Sequence, residues 1–186
     1  MGYEIALGMA WGELEELCSS SVISISFLAE DYLVKIGERT ILQSFTGARA
    51  PETEAVLILH YLIGLEKCGY KPSGEWISFK ETEGGKAFWP AFQETVIKPL
   101  TKSFHSDPKG IVERLQGSLG GRLVGGGDVA VEVVTFPGVF VRLIFWRGDE
   151  ELPAEATMLF DRALSKIYCM EDVDALLLVL AKRAIA

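Results

Sequence analysis

Residues 55–65, Ala-Val-Leu-Ile-Leu-His-Tyr-Leu-Ile-Gly-Leu, are apolar around almost the whole circumference of the helix they would form. A helix that is apolar on every side is stable only when other elements wrap it, so this stretch predicts a buried central helix. Pro51 stands at a favourable first-turn position ahead of it, and Glu52 and Glu54 lie near its positive end. Gly69, after Lys67 and Cys68, is placed for a left-handed cap. A chain of 186 residues is long enough to build such a core as one domain without a metal or disulfide staple. Its 49% hydrophobic content excludes a disordered chain.

The flanking sequence supplies the wrapping. Tyr3, Leu7, Ala10, Leu14 and Leu17 recur at helical spacing, and from Val22 the apolar period changes to two. Ile23, Ile25 and Phe27, then Tyr32, Val34 and Ile36, then residues 40–45 predict three short antiparallel strands, with a reversal at Gly37-Glu38. Residues 73–79 are short and extended, and Gly84-Gly85 marks a turn. Phe88-Trp89-Pro90 leads into a helix to about Phe104 that Pro99 should kink. Asp107-Pro108 has the form of an N-cap followed by proline at the first helical position. Val129, Val131 and Val133 alternate, Pro137-Gly138 turns the chain, and residues 139–146 run back. A strand at 157–160 and a closing helix at 172–185 complete an α+β domain over residues 1–186. It has short antiparallel strands in one or two small sheets packed on about five helices. The glycine-rich stretch at 117–127 lacks the Lys-Ser/Thr ending of a phosphate loop and precedes a strand, so it reads as a flexible connection.

Charge and cysteine usage narrow the function classes. A net charge of -8 argues against a nucleic-acid partner. The apolar run at 175–181 is too short for a bilayer crossing, so no membrane role is expected. Glu4, Glu13, Glu15 and Glu16, with no basic start, predict a chain without a secretory leader and a cytoplasmic location. Cys18, Cys68 and Cys169 form no C-x-x-C pair, so neither a zinc ribbon nor an iron–sulfur cluster held by this chain alone is expected. They should be reduced and largely buried.

Three constellations could carry chemistry. His60 lies in the apolar helix with Gly64 one turn later on the same face, where another backbone, a carboxylate or a flat cofactor could approach the imidazole. An axial ligand in a tetrapyrrole site needs such a position, and so does a core histidine bonded to a neighbour. His105 falls between helices and should be solvated. Glu75 and Glu81, with Asp161 as partner, are candidates for acid–base work, and Glu75 would want a cation such as Arg142 or Lys86. Trp76, Phe79, Phe88, Trp89 and Phe92 fall within seventeen positions, with Phe140, Phe145 and Trp146 as a second group. They suit a core or an aromatic-walled pocket. The candidate cofactor-binding set is therefore His60, Gly64, Trp76, Phe79, Trp89 and Trp146, with no metal-ligand set among them.

Several motifs resemble the domain-of-unknown-function family 3786. They are Tyr3-Glu4-Ile5-Ala6-Leu7 with Ala10-Trp11, Leu57-Ile58-Leu59-His60-Tyr61-Leu62 and Gly74-Glu75-Trp76-Ile77-Ser78-Phe79. Trp89-Pro90-Ala91-Phe92, Pro99-Leu100, Trp146-Arg147-Gly148-Asp149-Glu150-Glu151, Pro153-Ala154-Glu155-Ala156-Thr157 and Leu159-Phe160-Asp161 extend the likeness over most of the chain. The resemblance implies an origin in anaerobic bacteria and archaea, where some members are fused to an iron–sulfur domain of the corrinoid-protein kind. It therefore implies a role near corrinoid or other anaerobic cofactor metabolism, and it supplies no catalytic residue. This chain lacks the cysteine-rich part, so any cluster would sit on a partner. The functional expectations follow: a module binding a small molecule or a corrinoid or other tetrapyrrole, an adaptor docking an iron–sulfur or corrinoid protein, or a carboxylate-dependent enzyme.

Overall fold

The computed structural model describes residues 4–149 and 151–186. The first helix, α1 (Glu4–Leu17), is followed by β1 (Val22–Phe27), β2 (Glu30–Lys35) and β3 (Thr40–Gln43), which pair antiparallel in that order. The central helix α2 (Glu52–Cys68) starts directly after Pro51, and Gly69 (φ 65°) closes it by donating its N–H to the Leu65 carbonyl. Leu57, Ile58 and Leu59 are fully buried, as the all-round apolar pattern requires. A short strand β4 (Trp76–Ser78) and a helical run follow: α3 (Gly85–Phe92), a π-turn at Gln93–Ile97, and α4 (Lys98–Ser106). Then come α5 (Pro108–Gly117), β5 (Arg122–Val124), β6 (Val129–Phe136), β7 (Val139–Trp146), β8 (Glu155–Asp161) and α6 (Met170–Ile185). The second sheet is antiparallel in the order β4-β8-β7-β6-β5. The fold is α+β, with two antiparallel sheets on a helical layer.

Four local expectations differ from the structure. The helix expected to begin near Phe88 begins at Gly85, and the disturbance caused by Pro99 is a wide turn before it rather than a kink at it. In a regular α-helix the Pro99 ring would meet the carbonyl of residue 95. The π-turn, where the Lys98 N–H bonds the Gln93 carbonyl five residues back, carries that segment aside. The glycine-rich connection contains a strand, β5, because Arg122–Val124 can pair with β6 through Glu132, Val131 and Ala130. The cysteines are not largely buried: Cys18 is half-buried, while Cys68 and Cys169 are exposed, all three free. The Asp107 cap is as the sequence predicts, its Oδ1 accepting the Gly110 N–H at 2.8 Å.

Two features join the small sheet to the rest. Phe27 of β1 stacks on Phe136 of β6 with ring centroids 4.6 Å apart, and Phe136 stacks on Tyr61 of α2 at 4.3 Å. One column of rings thus passes from the small sheet through the large sheet into the central helix. The hairpin between β1 and β2 turns on Leu28 (φ 49°) and Ala29 (φ 63°), a pair of left-handed residues where asparagine and glycine are usual. Leu28 holds this conformation because its side chain is buried and its N–H donates to the Thr135 carbonyl at 2.9 Å.

Beside that hairpin, the Tyr32 hydroxyl lies 2.7 Å from Glu30 Oε2 and 2.8 Å from Glu54 Oε2. Arg183 of α6 donates to Glu54 Oε1 at 2.8 Å and lies 3.0 Å from Glu30. Burial, followed by the hydrogen bond to Glu30, pushes the Tyr32 phenol well above its ordinary range.

Candidate functional site

α2 and α6 leave a cleft of about 590 Å³ between them, with Val56, Ala175, Leu178 and Val179 as apolar lining. Its polar lining includes Thr53, His60, Cys169, Glu171, Asp172, Asp174 and Lys182. His60 Nδ1 is 2.9 Å from both oxygens of the Asp172 carboxylate. A carboxylate only accepts, so Nδ1 carries the hydrogen; in the neutral ring the lone pair must then reside on Nε2. That nitrogen has no hydrogen-bond partner among the described residues, and the His60 side chain is 31% exposed at the cleft. The hydrogen bond that His60 donates to Asp172 holds the imidazole above its ordinary pKa, outweighing the opposing effect of burial.

The carboxylate is itself well placed. Asp172 is the third residue of α6, where the positive end of the helix favours a negative group. The Cys169 thiol, at the N-cap, donates to Asp172 Oδ2 at 3.2 Å. Burial around the sulfur pushes this thiol up to about 11, so it is a donor to Asp172 rather than a ready thiolate nucleophile. Burial also raises Asp174 above the usual carboxylate range. The cleft is thus a predominantly acidic groove with one anchored imidazole.

The residues singled out in the sequence separate into three places. Gly64 does allow a close approach beside His60, but the approaching group is Ile167: a Cβ on Gly64 would stand 2.5 Å from Ile167 Cβ. Phe79 is buried and stacked on Phe92 at 4.2 Å, with Trp89 tilted against Phe92 at 5.8 Å. Trp76 lies under the Arg142 guanidinium, 3.8 Å from the ring centroid, and Trp146 is partly exposed at the end of β7. None of these aromatic rings borders the His60 cleft. Trp89 lines a second cleft, of about 650 Å³, between the α3–α4 run and Pro153, Ala154 and Ala156.

The three candidate acids are committed elsewhere. Asp161 is buried and accepts from Ser73 N and Oγ, Gly74 N and Ala163 N at 2.7–2.9 Å. Burial alone would raise its pKa; these donors outweigh it and hold the carboxyl below its usual range. Glu81 closes a capping box on Ser78, and the Ser78 backbone and hydroxyl donors lower its pKa. Glu75 pairs with Arg162 at 2.7 Å, not with Arg142 or Lys86. Arg142 instead donates to Glu132 at 2.7 Å, opposite Arg122. Glu132 is only 3% exposed; burial opposes its ionisation, but the two guanidinium partners prevail and lower its pKa. Neither cleft is lined by Glu75, Glu81 or Asp161.

Sequence reasoning missed Asp172 and Cys169. They lie 112 and 109 residues from His60, too far for any spacing pattern to pair them. The available signal was the start of α6, where a residue three positions after an N-cap faces the free backbone donors. Among the described residues no group of three or more His, Cys, Asp or Glu side chains could hold a metal ion, and no helix is long and apolar enough to cross a membrane.

The sequence profile described as Domain of unknown function (DUF3786) matches residues 11–183. The chain belongs to this family. The DUF3786 span takes in His60, Cys169 and Asp172, and so the whole of the anchored imidazole arrangement. Comparison with curated proteins and with solved structures found no match.

Proposed function

We propose that this chain is a cytoplasmic binding module of anaerobic cofactor metabolism that holds a small molecule in the α2–α6 cleft, with His60 Nε2 as the group that meets it. The observation that carries this reading is the pairing of His60 Nδ1 with both Asp172 oxygens, which orients the ring and leaves one lone pair facing the cleft. Metal-ligating histidines characteristically donate their second ring nitrogen to a carboxylate in this way.

The donor set also limits the ligand. The described residues hold no cluster able to bind a bare ion, so a metal meeting Nε2 would arrive with its other ligands already in place. A corrinoid or another tetrapyrrole meets that condition, and the acidic lining suits a cofactor whose metal centre carries positive charge. His60 would hold such a group through Nε2, and Val56, Ala175, Leu178 and Val179 would meet its apolar part. The chemistry supplied by such a group is that of its metal; the protein contributes position and one donor.

The test is to incubate the purified chain with cobalamin and, separately, with haem, and to follow the visible spectrum through a desalting column. Retained colour that is lost in His60→Ala, and that strengthens as the pH rises through the raised His60 pKa, supports the reading. A chromophore that elutes freely, or one retained equally by His60→Ala, rejects it.

A second reading, an adaptor that docks an iron–sulfur or corrinoid partner, draws support from α1. Ile5 and Met9, one turn apart, are 71% and 72% exposed, and Ala6 between them lines the same cleft. Cross-linking from position 9 to a co-purified partner, without chromophore retention, would favour it.

A further inference from the structure

The second cleft has a character opposite to that of the first. Trp89, Gln93, Ile97, Thr101 and His105 all line it, and each is four residues after the last. In a regular α-helix of 3.6 residues per turn, residues four apart drift by about 40° per step, so five of them would sweep roughly 160° around the axis. They share one wall because the π-turn at Gln93–Ile97 lies in the middle of the run and takes up the drift. Such turns are often found where a helix presents a site. The opposite wall is Pro153, Ala154 and Ala156, all small or rigid and without charge.

In a protein of net charge -8, this wall carries Lys98, Lys102 and His105. Lys98 is paired with Glu94, whereas Lys102 and His105 have no side-chain partner among the described residues. Among the described residues, Glu155 is the one acidic group lining the cleft. The Trp89 ring, half-buried, closes one end, with the Lys80 ammonium 5.6 Å from its centroid. A flat ring wall and an apolar opposite face, with cationic groups a few residues along, match a ligand that is itself planar at one end and anionic at the other.

We infer that this cleft is a binding site for a planar organic anion, an aromatic or heteroaromatic ring bearing a carboxylate, sulfonate or phosphate, with Trp89 and Ile97 against the ring and Lys102 and His105 on the anion. The site is separate from the α2–α6 cleft, with which it shares no lining residue.

The probe is 1-anilinonaphthalene-8-sulfonate, titrated into the full chain by fluorescence alongside its uncharged parent, N-phenyl-1-naphthylamine. The expected result is one saturable site that prefers the sulfonate by about tenfold or more, as a charge-assisted contact requires. Lys102→Glu and His105→Glu, both at exposed positions, should each weaken it by about tenfold, while His60→Ala leaves it unchanged. Equal affinity for the neutral parent, insensitivity to both wall variants, or loss of the site in His60→Ala would each overturn the assignment. Circular dichroism of the variants separates a lost contact from a lost fold.

Discussion

The two histidines show how differently one chain can prepare the same side chain. His60 is fixed from behind by a carboxylate, in an acidic groove between two long helices. His105 is exposed at the end of α4, beside Lys102 and across the cleft from Pro153, Ala154, Glu155 and Ala156. The first arrangement sets a tautomer and a direction; the second leaves both open and supplies basic character to a wall. The general lesson is that an imidazole's role follows from the group behind it. A held Nδ1 presents Nε2 as a defined donor, whereas a solvated ring adds a proton acceptor of no fixed orientation.

Leu57→Ala should have the largest effect on this contrast, because it removes a fully buried side chain from the floor of the His60 cleft alone. Loss of about 2–5 kcal/mol in chemical denaturation is expected, with the anionic-probe site of the native fraction intact. Gly64→Ala comes next: its new methyl would collide with Ile167, and overpacking of this kind costs about 1–3 kcal/mol. If its melting temperature were unchanged, Ile167 would not be the group that fills the space beside His60.

Asp172→Asn tests the anchoring itself. His60 should then titrate lower by NMR, because its pKa is raised chiefly by the bond to Asp172. The sign for stability follows from linkage. A folded-state pKa above the unfolded one gives a contribution fully present below the unfolded value and lost as pH rises through the folded value. The stability gap between wild type and Asp172→Asn should therefore narrow from acidic to neutral and alkaline pH. The smallest effect is expected for Lys102→Glu, within about 0.5 kcal/mol in stability as for other surface changes, even though it removes the anion preference of its own cleft.

Much of the fold was legible because its determinants are local. The all-round apolar run at 55–65, the period-two stretches and the Asp107-Pro108 start each act through neighbours a few residues away. The site was legible in pieces. His60 stood out as a polar residue in an apolar helix, and Gly64 marked a close approach, but Ile167 and Asp172 come from more than a hundred residues further on. The aromatic segment was visible as a cluster in sequence, yet Phe79 and Phe92 spend their rings on each other and Trp76 on Arg142. The partner of Glu75 was misplaced for the same reason. Arg142 looked available, and only the register β6–β7 shows Glu132 directly opposite it.

The Tyr32 hydroxyl has a single hydrogen and two carboxylate oxygens within reach. That hydrogen can satisfy Glu30 or Glu54 at any instant, never both, and the guanidinium of Arg183 lets the unserved oxygen stay close. The hairpin is thereby moored to the last turn of the final helix by an alternating proton and one fixed cation. Clipping the chain just before Arg183 would take the cation from a hairpin that begins more than 150 residues earlier and leave two carboxylates facing each other, with the Phe27–Phe136 stack and the Leu28 bond to Thr135 still holding the sheet.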